Sequence, residues 1–90
     1  MKSRGSGPFL EAVMIIRIKF FAGLREFLPP GESPHIAEFE DGATVADLFR
    51  TFGVPPEKPR IILVNGRHAG LARVLADGDL LAVFPPVAGG

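Results

Sequence analysis

The chain has 90 residues, 47% of them apolar, with ten basic side chains against ten acidic ones. That is enough for one modest core and no second domain, and the balanced charge excludes the basic footprint of a nucleic-acid binder or of a protein drawn to an anionic membrane. Cysteine is absent, which removes disulfides, thiolate-held iron–sulfur clusters, cysteine zinc sites and thiol nucleophiles together.

Residues 1–13 mix Lys2, Arg4 and turn-forming residues with a short apolar patch and follow no period, so they are expected to form a flexible N-terminal extension. Met14 opens a strongly patterned segment and is a candidate natural start. From Met14 to Phe21, Ile16, Ile18 and Phe20 alternate with Arg17, Lys19 and Phe21, the period-two signature of a half-buried strand. Leu24, Phe27 and Leu28 then fall at helical spacing ahead of Pro29-Pro30-Gly31, which predicts a turn or two of helix. His35 to Glu40 alternates Ile36 and Glu38 with Ala37 and Phe39 and predicts a second strand, at a sheet edge.

After the Asp41-Gly42 turn, Thr44 and Asp47 have the spacing of a capping box, and Val45, Leu48, Phe49 and Phe52 recur at i, i+3, i+4 and i+7. This predicts one core-facing helix closed by Gly53. Pro55, Pro56 and Pro59 make the next stretch a loop, Arg60 to Val64 reads as a buried strand, and Asn65-Gly66 predicts a hairpin into Arg67, His68 and Ala69. Asp77-Gly78-Asp79 is a second tight turn that launches a last strand over Leu80–Phe84, stopped by Pro85. The sum is an α+β fold over residues 14–84, a mixed sheet of about four to five strands with one main helix across it.

Residues 85–90, Pro-Pro-Val-Ala-Gly-Gly, carry no packing pattern and are expected to form a flexible tail. Extended at roughly 3.1 to 3.5 Å per residue the tail spans about 20 Å, enough to enter a deep active site while the body stays outside. Pro85 and Pro86 stiffen its root, Val87 and Ala88 continue it, and Gly89 and Gly90 lack the Cβ that would block a narrow channel.

Five blocks carry a resemblance: Met14 to Glu26, Asp41 to Leu48, Val64-Asn65-Gly66, Leu75 to Asp79, and Phe84 to Gly90. In this order they resemble the small, sulfur-carrying subunit of molybdopterin synthase and related ubiquitin-like sulfur carriers, over Met14 to Gly90. The resemblance implies the β-grasp fold of ubiquitin, with the first and last strands paired in parallel. It also implies that a ubiquitin-activating-like adenylyltransferase uses ATP to adenylate the Gly90 carboxylate, that sulfur displaces AMP, and that the resulting thiocarboxylate serves a large molybdopterin synthase subunit. The chain itself would bind no cofactor and would not be catalytic alone.

Given that pairing, Phe21 and Phe84 are expected on the open face of the sheet, where the tail emerges, as a partner-binding patch, with His68 on the same face. His35 and His68 stand far apart without neighbouring carboxylate clusters, so no metal site is expected. Asp77 and Asp79 read as turn residues rather than an acid–base pair, and Arg67 and Arg73 as a solvated face or a partner contact. No run approaches the roughly 20 apolar residues of a membrane span and no signal peptide is apparent, which makes a cytoplasmic location and no membrane or nucleic-acid partner the expectation. Two other readings use the same tail: a carrier for thiamine, cysteine or tRNA thiolation, and a ubiquitin-like modifier joined through Gly90 to lysines.

Overall fold

A computed structural model describes residues 13–86. Residues 1–12 and 87–90 lie outside the described residues, and with them the expected extension up to its last position and the tail positions Val87, Ala88, Gly89 and Gly90.

Five strands and one α-helix follow the expected order: β1 (Val13–Phe20), β2 (His35–Glu40), α1 (Val45–Phe52), β3 (Ile61–Val64), β4 (Arg67–His68) and β5 (Leu80–Phe84), with a 3-10 helix at Ala22–Phe27. The sheet order is β2-β1-β5-β3-β4. β1 and β5 run parallel, whereas β1/β2, β3/β5 and β3/β4 are antiparallel. This mixed sheet with one helix across it is the β-grasp.

Val13 corrects the boundary set by side-chain pattern. It pairs with Glu40, so the first strand takes in residue 13, which the pattern assigns to the extension; a partner strand supplies that order, and alternation along the chain cannot reveal it. At the other end of β1, Phe21 is the N-cap of the 3-10 helix, yet its N–H still donates to the Val83 carbonyl at 3.0 Å.

The period-two pattern has its cause in the core. Met14, Ile16, Ile18 and Phe20 of β1 and Leu81 and Val83 of β5 are buried against Val45, Leu48 and Phe49 of α1. Each such Ile, Leu or Val side chain contributes about 1.5–3 kcal/mol on leaving water. Phe20 meets the rings of Phe49 and Phe52 edge-on, at centroid distances of 6.3 and 6.2 Å.

α1 is fastened at both ends. Thr44 Oγ1 accepts from the Asp47 N–H, and the Thr44 N–H donates back to the Asp47 carboxylate at 2.9 Å, completing the capping box. The next two helix donors, Val45 N–H and Ala46 N–H, are taken by the carbonyls of Arg73 and Leu71, each at 3.0 Å. The loop before β5 therefore finishes the helix N-terminus. Gly53 closes the other end at φ +77°, a left-handed conformation that favours glycine.

The two turn motifs meet in space. Asn65 and Gly66 both adopt positive φ, as the hairpin requires. The Asp77-Gly78-Asp79 turn reaches back across the sheet: Asp77 Oδ1 accepts from the Ile15 N–H at 2.7 Å, and the Gly78 N–H donates to the Ile15 carbonyl at 2.7 Å.

Candidate functional site

One face of the sheet is covered by α1, and the other is open. Residues opposite one another in neighbouring strands project to the same side. The register runs Lys19 to Ala82 to Leu63 to His68 across four strands, and Phe84 lies beside Ile61 in the next row. Since Ile18, Phe20, Leu81 and Val83 point into the core, Lys19, Ala82, Leu63, His68, Ile61 and Phe84 occupy the open face. That face is unusually apolar for exposed surface: Ile15, Ile36 and Ile61 are 38%, 53% and 39% exposed.

Phe21 and Phe84 come together at the end of β5, beside Pro85 and Pro86. Their rings stack with centroids 4.3 Å apart and planes 3° from parallel, and the Lys19 ammonium sits 5.9 Å from the Phe21 centroid. The parallel pairing of β1 with β5 brings the C-terminal ends of these two strands to the same end of the sheet. A groove of about 790 Å³ opens at this edge, with Phe21, Ala22, Ile61, Phe84, Pro85 and Pro86 among its walls. The structure thus gathers both expected phenylalanines and both prolines of the tail root. His68 shares the open face but stands a row away and does not line the groove.

Two groove residues escaped the sequence reading. The apolar run Arg60 to Val64 predicts a buried strand that includes Ile61, but β3 is short and near the edge, and its first residue is left half in water. Ala22 adopts φ +54°, a conformation that non-glycine residues seldom take, and it turns the chain off β1 into the 3-10 helix. The adjacent small pair Ala22-Gly23 is the only local signal for that turn.

The remaining polar candidates have structural duties. Asp79 is buried and accepts from Asn65 Nδ2 and the Ala76 N–H, both at 2.8 Å. His35 meets Phe52 edge-on at 5.7 Å, on the helix side of the sheet. The Thr44 N–H and hydroxyl, with Arg50 nearby, hold the Asp47 carboxyl below the usual carboxylate range against the opposing effect of burial. Arg67 and Arg73 are exposed. Among the described residues no group of three His, Cys, Asp or Glu side chains is placed to hold a metal ion, and no helix is long and apolar enough to cross a membrane.

A site of this kind is mostly apolar and offers a contact surface beside Pro85 and Pro86.

Comparison with known proteins agrees with that geometry. Small archaeal modifier protein 3 of Haloferax volcanii is 35% identical over 94 residues, covering 86% of this chain and all of that protein. The crystal structure of small archaeal modifier protein 1 from the same organism matches with a TM-score of 0.63 at 29% identity, over 82% of this chain and 99% of that one. A Pyrococcus furiosus protein described as molybdopterin converting factor subunit 1 matches with a TM-score of 0.58 at 28% identity, over 82% and 99% of the two chains. The family profile described as Mut7-C ubiquitin matches residues 13–89. The stacked tail root, the β-grasp body and this match across nearly the whole folded region make the chain a member of the Mut7-C ubiquitin family.

Proposed function

We propose that this protein is a ubiquitin-like sulfur carrier whose working group is the Gly90 carboxylate, and that it donates sulfur in molybdopterin assembly in the cytoplasm. The observation that carries the reading is the Phe21–Phe84 stack beside Pro85 and Pro86: an apolar face is presented where the tail begins. A partner that docks on this face receives the tail in a defined direction. Pro85, Pro86, Phe21, Phe84 and, at the margin, His68 are the body's contribution to partner binding.

The carboxylate is a poor electrophile and needs activation. In the first step its oxygen attacks the α-phosphorus of ATP on a ubiquitin-activating-like adenylyltransferase; the acyl–phosphate bond forms and pyrophosphate leaves. A sulfide equivalent then attacks the acyl carbon, the bond to AMP breaks, and a thiocarboxylate and one proton result. The sulfur of that soft nucleophile bonds to a carbon of a pterin precursor held by a larger synthase subunit and displaces an oxygen substituent there; water then cleaves the acyl–sulfur bond, leaving sulfur on the pterin and returning the Gly90 carboxylate. The carrier supplies the handle and the docking face, and its partners supply ATP, acid, base and acceptor. The 28% identical Pyrococcus furiosus protein supports this pathway.

A second reading has its own support, the 35% identity to small archaeal modifier protein 3. In it a lysine amine, rather than sulfide, displaces AMP, leaving Gly90 in an isopeptide bond.

Intact-mass analysis after incubation with the activating enzyme, ATP and a sulfur source tests the carrier reading. Exchange of one oxygen for sulfur at Gly90 is expected; an unchanged mass with an enzyme competent on another carrier would overturn it. Adding the large synthase subunit and pterin precursor then tests the pathway, where dithiolene product is expected. Gly90 found only in isopeptide linkage on cellular proteins would favour the modifier.

A further inference from the structure

The open face of the sheet carries a second apolar patch, at the end away from Pro85. Ile15 pairs with Glu38 and Arg17 with Ile36, so the two isoleucines are diagonal neighbours on that face. They are 38% and 53% exposed. Arg17 stands directly beside Ile36 but leans the other way, donating to the Gly78 carbonyl at 2.9 Å, and so does not cover it. Glu38 and Glu40 border the patch along β2, and Val13 stands opposite Glu40. At roughly 3.3 Å per residue along β1, Ile15 is about 20 Å from Phe21, which makes this patch separate from the stacked tail root.

Connectivity decides what covers it. The chain enters β1 at Val13, and the residues just before it are Phe9-Leu10-Glu11-Ala12. At up to about 3.5 Å per residue, Leu10 lies within about 10 Å of Val13 and Phe9 within about 14 Å. Measured along the strand from Val13, Ile15 is about 7 Å away and Ile36, level with Arg17, about 13 Å. Both isoleucines fall within that reach, and the Phe21–Phe84 stack falls outside it. Charge points the same way, since Lys2 and Arg4 come next beyond Gly5 and Gly7, and the border of the patch is acidic.

We propose that residues 1–12 fold back over this end of the open face as a strap, with Leu10 over Ile15, Phe9 over Ile36, and Lys2 and Arg4 facing the glutamates of β2. Gly5 and Gly7 give the chain the freedom to turn back from Phe9 toward Glu38 and Glu40. A tether this short holds the segment at an effective concentration on the order of millimolar, far above that of a second copy or a separate protein in solution. The strap divides the face: the Phe21–Phe84 end stays open with it in place, whereas a partner that spreads over the whole sheet has to lift it. None of this depends on the chemistry of Gly90.

The chain has no cysteine, so Ser6→Cys in the full chain takes a single nitroxide label. The label is expected to broaden the amide signals of Ile36 and Glu38 most and those of Arg67 and His68, on the far edge of the sheet, least. Adding Phe9→Ser with Leu10→Ser is expected to restore the Ile36 signal. Ile36→Ser should release the strap from the other side, and because Ile36 is exposed the core should stay intact, read by unchanged shifts of Leu81 and Val83. Lys2→Glu with Arg4→Glu is expected to weaken the broadening at Glu38. A label effect that fades steadily with distance from Val13 and ignores Phe9→Ser with Leu10→Ser would overturn the proposal. So would broadening passed from labelled chains to unlabelled, isotope-enriched chains in a mixture, which would make the occupant a second copy.

Discussion

Asn65 and Asp79 hold each other across two turns. Asn65 Nδ2 donates to Asp79 Oδ1 at 2.8 Å, while Asn65 Oδ1 accepts from the Leu80 N–H at 3.0 Å. One amide side chain thereby ties the β3–β4 hairpin to the start of β5. The second Asp79 oxygen accepts from the Ala76 N–H, so the carboxylate closes its own turn as well.

Asp79→Ala is therefore expected to remove the buried acceptor of two hydrogen bonds, from Asn65 Nδ2 and the Ala76 N–H. The loss should be about 1.5–3 kcal/mol, the range for hydrogen bonds to a charged group. Urea denaturation checks this; a change below 0.5 kcal/mol, on the order of an ordinary surface substitution, would show that the network is dispensable.

Gly66 has φ +84° and open space where a Cβ would be. Any cost of Gly66→Ala is consequently a backbone cost, with no clash to add. A loss of about 1–2 kcal/mol is expected from the left-handed conformation alone, without change in the groove or its partners. Equal stability of the variant in thermal melts would contradict it.

Stability should also depend on acid through Asp47. Its carboxyl is held below its usual value, chiefly by the Thr44 N–H. A group depressed on folding contributes stability that is present above the unfolded-state value, about 3.9 for Asp, and is lost as pH falls through the lower folded value. Wild type and Asp47→Asn should thus differ most near neutrality and converge in strong acid. Denaturation midpoints for both proteins at pH 7 and below pH 3 measure this, and a gap that widened in acid would refute the assignment. Thr44→Ala should cost about 1 kcal/mol by removing the cap.

Phe84→Ala separates surface from fold. The stack with Phe21 is worth about 0.5–1.5 kcal/mol beyond the area it buries, so the variant should remain folded but weakened. Adenylation should fall much further than stability does. The comparison needs a melt and a pyrophosphate-exchange assay on one sample; parallel small losses would argue that the ring is merely structural.

Removing Gly89 and Gly90 should abolish thiocarboxylate formation and leave the melting temperature unchanged, because the buried core and every strand pairing of the sheet lie within residues 13–84. Mass analysis and calorimetry decide between this and a structural role.

Local signals carried much of this architecture. Ile16, Ile18 and Phe20 announced β1 because burial against α1 demands alternation, and Thr44 with Asp47 announced α1 because helix donors need acceptors. The same alternation put Phe21 and Phe84 on one face, as observed. What stayed hidden depends on contacts between distant segments. Asp77 reads as a turn residue, yet its carboxylate receives the N–H of Ile15, 62 positions away. Nothing near Leu71 or Arg73 reveals that their carbonyls finish a helix. The groove was illegible for the same reason, since its walls come from the 3-10 helix, a proline-rich loop and the tail root.

The position of β5 has a mechanical consequence. It is the central strand, bonded to β1 on one side and β3 on the other, and it is the strand from which Pro85 departs. A partner that tugs on the C-terminus loads β5 in shear against its parallel neighbour β1, so its ladder with β1 resists collectively instead of unzipping one rung at a time.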